Sequence, residues 1–138
     1  MPWAYDDPVN RADVVTWLDG YVDAWRSRDP EQIGALFTED ALYRYRPYPG
    51  GRTLEGHQGI VQGWLAHSDG PDDWEASYQV FTVEGDRAVA VGTTRYFGTD
   101  EVPDDVFHNC FLLRFGTDGR CAEFTEYWML EPKEDEPG

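Results

Sequence analysis

The sequence has 138 residues, which is the length of one domain, and 41% of them are hydrophobic. Its 27 acidic and 11 basic residues give a formal net charge of −16. This charge repels nucleic acids and anionic membranes, so we expect neither as a partner. No apolar run approaches the roughly 18 residues of a membrane span, and the N-terminus lacks the basic and apolar regions of a signal peptide. We therefore expect a cytoplasmic protein.

Three helical patterns occupy the first half of the chain. Asn10 is a suitable N-cap for a first helix, in which apolar residues recur at helical spacing. These positions are Val14, Leu18, Tyr21, Val22 and Trp25. The sequence Asp29-Pro30-Glu31 predicts the start of a short second helix that includes Phe37. A third helix is predicted from Gly56 to about His67.

Strand patterns dominate the second half. A short strand is predicted earlier, from Ala41 to Tyr45, and four longer ones follow the third helix. These are Trp74–Val83, Arg87–Phe97, Val106–Phe115 and Arg120–Leu130. Glu84-Gly85-Asp86-Arg87 is typical of a tight hairpin turn. Helices followed by a strand meander predict an α+β fold, with the helices packed on one face of an antiparallel sheet.

The chain is expected to form a single domain over residues 10–131. Residues 1–9 are interpreted as an N-terminal extension. Residues 132–138 carry four charged side chains in seven positions and are interpreted as an acidic, mobile tail.

Three segments resemble the nuclear transport factor 2-like superfamily, and in particular its SnoaL-like branch. Residues 33–41 are similar to the family's second helix running into its first strand. Residues 54–60 resemble the glycine-bearing turn that opens the third helix. Residues 118–123, followed by residues 126–128, resemble the last turn and the final strand. The order and spacing of the three segments carry the resemblance.

The resemblance implies a cone-like fold, in which a strongly curved antiparallel sheet wraps around a long N-terminal helix and encloses a ligand pocket. Proteins of this nuclear transport factor 2-like, or cystatin-like, fold include polyketide cyclases, ketosteroid isomerases, hydratases and epoxide hydrolases. They also include binding and dimerisation domains without catalytic activity, so the fold alone does not decide the function. Many members are homodimers through the outer sheet face, and we expect a homodimer here.

Glu126 is the first candidate catalytic residue. It shares a strand face with Phe124, Trp128 and Leu130, which are all apolar. A carboxyl group buried on such a face has a raised pKa and can transfer protons near neutral pH. The resemblance places Glu126 where SnoaL-like cyclases carry a catalytic aspartate. The alternative is an exposed glutamate paired with an arginine of the neighbouring strand or turn.

His108 is the second candidate, as the acid–base partner of Glu126 from the adjoining strand. It is assigned to one face together with Cys110 and Leu112. The cyclases also carry a histidine on this strand, although at a shorter interval before the acid. The alternative is a buried histidine bonded to a backbone carbonyl group.

Tyrosines are the candidate hydrogen-bond donors to a substrate oxygen. Tyr43 is predicted to point into the cavity from the first strand. Tyr21 lies in the apolar stripe of the first helix, where steroid isomerases of this fold carry a tyrosine, and it is also a plausible core residue. Aromatic side chains are expected to bind the substrate, or simply to fill the core. They are Trp17, Tyr21, Trp25, Trp64, Phe124 and Trp128.

Motifs for other chemistries are missing. The sequence has no GxSxG, no GxGxxG after a strand, no phosphate-binding loop and no HExxH. Its three histidines lack metal-ligand spacing, so we expect neither a metal nor another cofactor. Two hypotheses remain. One is an acid–base enzyme of the cyclase, isomerase or hydratase type that acts on an apolar, carbonyl-bearing or polycyclic substrate. The other is a non-catalytic ligand-binding or dimerisation module.

Overall fold

A computed structural model describes residues 9–67 and 69–133 of the chain. Most of the predicted N-terminal extension and of the acidic tail lies outside the described residues. Within them the helices are α1 (Arg11–Ser27), α2 (Pro30–Gly34) and α3 (Gly56–Leu65). The strands are β1 (Phe37–Arg44), β2 (Thr53–Glu55), β3 (Trp74–Glu84), β4 (Arg87–Tyr96), β5 (Asp105–Phe115) and β6 (Cys121–Leu130).

The strands form one curved, unclosed sheet in the order β2-β1-β6-β5-β4-β3. Neighbouring strands are antiparallel except for β1 and β6, which are parallel. The α+β class and the curved sheet predicted from the sequence are therefore confirmed. The parallel pair brings Tyr43 of β1 directly opposite Phe124 of β6.

Helix α1 packs against the inner face of the sheet and begins where the sequence predicts. The side chain of Asn10 accepts a hydrogen bond from the backbone N–H of Asp13 at 2.9 Å, and the Asp13 carboxylate accepts one from the Asn10 N–H at 3.3 Å. This capping box satisfies two N–H groups that the helix leaves unpaired. The buried stripe of the helix consists of Val14, Trp17, Leu18, Tyr21 and Ala24.

Two segments differ from the sequence-based prediction. Helix α2 ends at Gly34, and Phe37 belongs to β1, where it pairs with Cys121 and is fully buried. Strand β2 was not predicted, because its three residues are too few to show an alternating pattern. It pairs with Leu42–Arg44 and forms the edge of the sheet.

Glycine turns connect the long strands. Gly85 and Gly119 have φ angles of 59° and 82°, in the left-handed region that favours glycine, and Gly85 lies in the predicted hairpin between β3 and β4. Val9 is buried and donates its N–H to the Gly85 carbonyl oxygen at 2.9 Å. The β3–β4 turn is thereby tied to the residues that precede α1.

The alternation of β5 decides which of its side chains reach the interior. Asn109, Phe111 and Leu113 are buried on the inner face, whereas His108 and Leu112 are exposed on the outer face. No helix in the described part of the chain is long and apolar enough to cross a membrane.

Candidate functional site

A cavity of about 390 Å³ lies between the inner face of the sheet and helices α1 and α3. This volume is within the usual range for small-molecule sites. Its aromatic lining consists of Tyr21, Trp25, Tyr43, Tyr45, Trp64, Tyr78, Tyr96, Phe107 and Trp128. Its polar lining consists of Arg46, His67, Asp69, Thr94, Asn109 and Glu126. The cavity thus combines a flat, apolar surface with a few polar groups.

Strand β6 places Glu126 in this cavity, opposite Phe111 of β5. Burial raises the pKa of the Glu126 carboxyl, and two weaker effects oppose it. One is a hydrogen bond from the Asn109 side chain, whose Nδ2 donates to Glu126 Oε2 at 2.7 Å. The other is the positive charge of Arg46. The net pKa remains raised, as a proton-transfer group near neutral pH requires.

A hydrogen-bond chain with one defined direction ends at Glu126. Thr94 Oγ1 donates to Asn109 Oδ1 at 2.9 Å, so its lone pairs remain to accept the Tyr78 hydroxyl at 2.6 Å. With its oxygen occupied by Thr94, the Asn109 side chain presents its NH₂ group to Glu126. Tyr78, Thr94 and Asn109 therefore fix the orientation of the carboxyl group.

This series of hydrogen bonds makes the two carboxyl oxygens of Glu126 different. Oε2 is occupied by Asn109, and no residue in the described part of the chain hydrogen-bonds to Oε1. Oε1 is thus the atom left to exchange a proton with a bound ligand.

Tyr21 and Tyr43 form a second polar group in the cavity. Their hydroxyl oxygens are 2.9 Å apart, and both side chains are buried. Only one hydroxyl hydrogen is used in this bond, so the other remains available to a ligand. The Tyr43 ring stacks on Phe124 with the centroids 4.3 Å apart, which fixes its position.

All five tyrosines of the cavity lining have raised pKa values. Burial is the main cause, and the negative charge of Glu126 raises the pKa further in every case. Their hydroxyl groups are protonated at neutral pH, as in ordinary tyrosines, and can donate hydrogen bonds.

His108 is not part of the cavity, so the predicted pair with Glu126 is not formed. Its side chain is 55% exposed on the outer face of β5, and its Nε2 lies 2.5 Å from Glu131 Oε2. The reason is the alternation of the strand, because Phe111 and Glu126 share the inner face. The neighbouring residue, Asn109, occupies the place that was assigned to His108.

Four of the six predicted substrate-binding aromatic residues line the cavity: Tyr21, Trp25, Trp64 and Trp128. Trp17 and Phe124 do not. Trp17 is buried in the core and donates its indole N–H to the Leu36 carbonyl oxygen at 2.9 Å. Phe124 is fully buried beneath Tyr43.

Several polar residues of the site were missed. Asn109 had a usable signal, since it is the one polar residue among Phe107, Phe111 and Leu113, which follow the period of a strand. Asp69 lies in a loop, where no periodicity indicates which side chains face the interior. Arg46 lies in another loop, near aromatic residues, where the sequence favours a surface ion pair over a ligand carboxylate, and the structure places it in the lining. Across residues 9–67 and 69–133, no three His, Cys, Asp or Glu side chains cluster as metal ligands.

The sequence pattern of the SnoaL-like domain matches residues 18–124, which is most of the chain. The chain belongs to this family. No curated protein matches the sequence.

Solved structures share the fold of this SnoaL-like domain. A protein of unknown function from Methylobium petroleophilum PM1, with a cystatin-like fold, is 18% identical; the match covers 94% of this chain and 84% of that one with a TM-score of 0.66. A candidate ketosteroid isomerase from Kribbella flavida DSM 17836 is 19% identical, with coverages of 93% and 85% and a TM-score of 0.64. An LEH-like epoxide hydrolase from M. tuberculosis is 12% identical, with coverages of 86% and 84% and a TM-score of 0.62.

The raised pKa of Glu126 predicts how the stability of this SnoaL-like domain depends on pH. An unfolded glutamate has a pKa of about 4.3, so above that pH the folded state retains the Glu126 proton more strongly than the unfolded state. The contribution of Glu126 to the free energy of unfolding therefore falls as the pH rises through its folded-state pKa.

We expect Glu126→Gln to gain stability relative to wild type as the pH rises from about 4.3, the unfolded-state pKa, to the folded-state pKa of Glu126, and to gain no more above it. The measurement is the free energy of unfolding in urea for both proteins across this range. Comparing the two proteins cancels the titration of the other acidic residues. A stability difference that stays constant, or that changes in favour of wild type, would contradict the raised pKa.

Proposed function

We propose that this SnoaL-like protein is a cofactor-free acid–base enzyme of the cyclase, isomerase or hydratase type. The observation that carries the proposal is the environment of Glu126. Its carboxyl lies in an aromatic cavity with a raised pKa, one oxygen held by Asn109 and the other free for a ligand.

In the proposed reaction, Glu126 transfers a proton at a carbon next to a substrate carbonyl group. The ionised carboxylate takes the proton on Oε1, and the acid form returns it at another position or to another atom. Burial brings the pKa of Glu126 closer to neutrality, so both forms are accessible during turnover. Asn109 keeps the carboxyl in place through both steps.

Tyr43 is the proposed hydrogen-bond donor to the substrate oxygen on which negative charge develops. With Tyr21 donating to Tyr43, the Tyr43 hydroxyl hydrogen is left for the substrate. A donor that is already fixed by packing stabilises such charge without reorganisation. Stacking on Phe124 and the bond to Tyr21 supply this rigidity.

The lining supports an apolar, carbonyl-bearing or polycyclic substrate. Flat aromatic walls suit a flat ligand, and the polar groups are mainly hydrogen-bond donors. Tyr45 and Tyr96 add hydroxyl groups that make no hydrogen bond within residues 9–67 and 69–133. The names of the epoxide hydrolase and the candidate isomerase are compatible with enzymatic chemistry on this fold.

The second hypothesis is a ligand-binding module without catalysis. The position of His108 favours it, because the histidine that the sequence pairs with Glu126 lies outside the cavity. Binding requires only the aromatic walls and the donor groups. A proton-exchange experiment separates the two hypotheses.

We expect wild-type protein to accelerate the exchange of the α-hydrogens of 2-tetralone in D₂O, measured by proton NMR. Glu126→Gln should lower the protein-catalysed rate by about 100-fold or more, because the amide cannot accept the proton. Glu84→Gln is the matched control, since Glu84 is an exposed strand glutamate away from the cavity. Tryptophan fluorescence measures ketone binding in all three proteins.

Full exchange activity in Glu126→Gln would remove the proposed role of Glu126. Wild-type protein that binds 2-tetralone without accelerating its exchange would support the binding module instead.

We also propose that the protein is a homodimer through the outer face of the sheet. This face carries Leu112, Tyr127 and Met129, which are 40%, 47% and 72% exposed. Strand pairing places Leu112 beside Val89 and Tyr127 beside Cys110, so the apolar side chains adjoin. Exposed apolar patches of this kind mark interaction sites.

Light scattering coupled to size-exclusion chromatography should give a dimer mass for wild type and a monomer mass for Leu112→Glu, because a charge would be buried in the interface. Val15→Glu is the control, since Val15 is a 44% exposed apolar residue on α1. A wild-type monomer at all concentrations would contradict this proposal.

A further inference from the structure

The hairpin between β1 and β2 brings positive charge to the cavity of a strongly acidic protein. Residues 41–54 contain three arginines and no aspartate or glutamate, although the chain has 27 acidic residues among 138. Arg44 forms an ion pair with Glu123. Arg46 and Arg52 lie beyond the end of β1 and adjoin aromatic residues of the cavity lining.

Arg46 is itself part of the lining and is held in place by three contacts. Its guanidinium carbon lies 4.9 Å from the centre of the Trp128 ring, and its Nη1 donates to the Tyr45 carbonyl oxygen at 3.0 Å. A Cβ atom on Gly51 would lie 2.6 Å from the Arg46 Cβ, so the glycine makes room for the arginine stem. The guanidinium group is therefore positioned, with most of its N–H groups unused.

Arg52 adds a second cation on the same side of the cavity. Its guanidinium carbon lies 5.0 Å from the centre of the Tyr45 ring. Burial raises the pKa of Tyr45, and the charge of Arg52 opposes that rise. The positive charge of Arg52 therefore acts on the Tyr45 hydroxyl, which belongs to the cavity lining.

Within residues 9–67 and 69–133 neither arginine is in an ion pair with a carboxylate, although the charge of Arg46 lowers the pKa of Glu126. Among the ion pairs between described residues, five arginines pair with acidic side chains, and Arg46 and Arg52 are not among them. The paired arginines are Arg44, Arg87, Arg95, Arg114 and Arg120. Both cations adjoin the lining of one cavity, in a chain with a net charge of −16.

Negative charge lies toward another part of the lining. Burial and then the charge of Asp69 raise the pKa of Tyr96. Phe107 lies between Tyr96 and Trp128, with ring centroids 5.8 Å and 5.3 Å away. The two arginines lie at Trp128 and Tyr45, and this part of the lining is called the cationic side of the cavity.

We propose that the ligand of this cavity carries an anionic group, best matched by a carboxylate, which Arg46 binds at the cationic side of the cavity with support from Arg52. A guanidinium group presents parallel N–H donors that fit the two oxygens of a carboxylate. The apolar body of the ligand then extends along the aromatic walls toward Glu126. This inference rests on the proposed ligand site but not on its catalytic activity.

The test compares two ligands of nearly equal shape, 2-naphthoate and 2-naphthamide, by tryptophan fluorescence titration at neutral pH. Wild-type protein should bind the carboxylate about 10-fold more tightly or better, as expected for a charge-assisted hydrogen bond. Arg46→Gln should remove this preference and leave the affinity for the amide nearly unchanged. Arg87→Gln is the control, because Arg87 is exposed and pairs only with Asp86.

Equal or weaker binding of the carboxylate by wild type would overturn the inference, and so would an Arg46→Gln protein that retains the preference. The wild-type comparison requires no substitution, so it remains decisive if Arg46→Gln is destabilised. Loss of proton exchange in Glu126→Gln is a separate result. The preference for a carboxylate can therefore fail while the proposed catalysis stands, and the reverse is equally possible.

Discussion

The hydrogen bond from Asn109 to Glu126 is the interaction on which the site depends. A carboxyl group on the inner face of a sheet is costly to ionise, and burial raises the pKa of Glu126. Asn109 offsets part of this cost, and it can do so only because Thr94 and Tyr78 fix the direction of its amide. Hydrogen bonds between polar side chains thus connect three adjacent strands, β4, β5 and β6, on the otherwise apolar inner face of the sheet.

The same carboxyl organises the rest of the cavity. Its negative charge adds to burial in raising the pKa of the surrounding tyrosines, whose hydroxyl groups are hydrogen-bond donors at neutral pH. The positive charge of Arg46 opposes the effect of burial on Glu126, because it lowers the pKa of that carboxyl. A ligand in this cavity meets aromatic walls, hydroxyl donors and one carboxyl oxygen. This combination suits recognition of an apolar body with oxygen atoms at defined positions.

The sequence predicted the fold and part of the site for identifiable reasons. Glu126 was found because it is the lone charged residue on an apolar strand face, and α1 because Asn10 and its apolar spacing mark the start of a helix. His108 was misplaced because a shift of one residue reverses the face of a strand. The next residue, Asn109, lies on the inner face together with Phe111 and Leu113. The sequence left Arg46 open between a ligand carboxylate and a surface ion pair, since its position depends on a hairpin closed by the unpredicted strand β2.

The most direct test is the titration of Glu126 itself. Carbon-13 NMR of protein labelled at glutamate carboxyl groups, with the resonance assigned by its absence in Glu126→Gln, gives the pKa in the wild-type protein. The environment of the carboxyl predicts a pKa clearly above the ordinary value of about 4.3. A pKa at or below that value would show that burial does not outweigh Asn109, Arg46 and solvent, and it would contradict the assignment of Glu126 as the proton-transfer group.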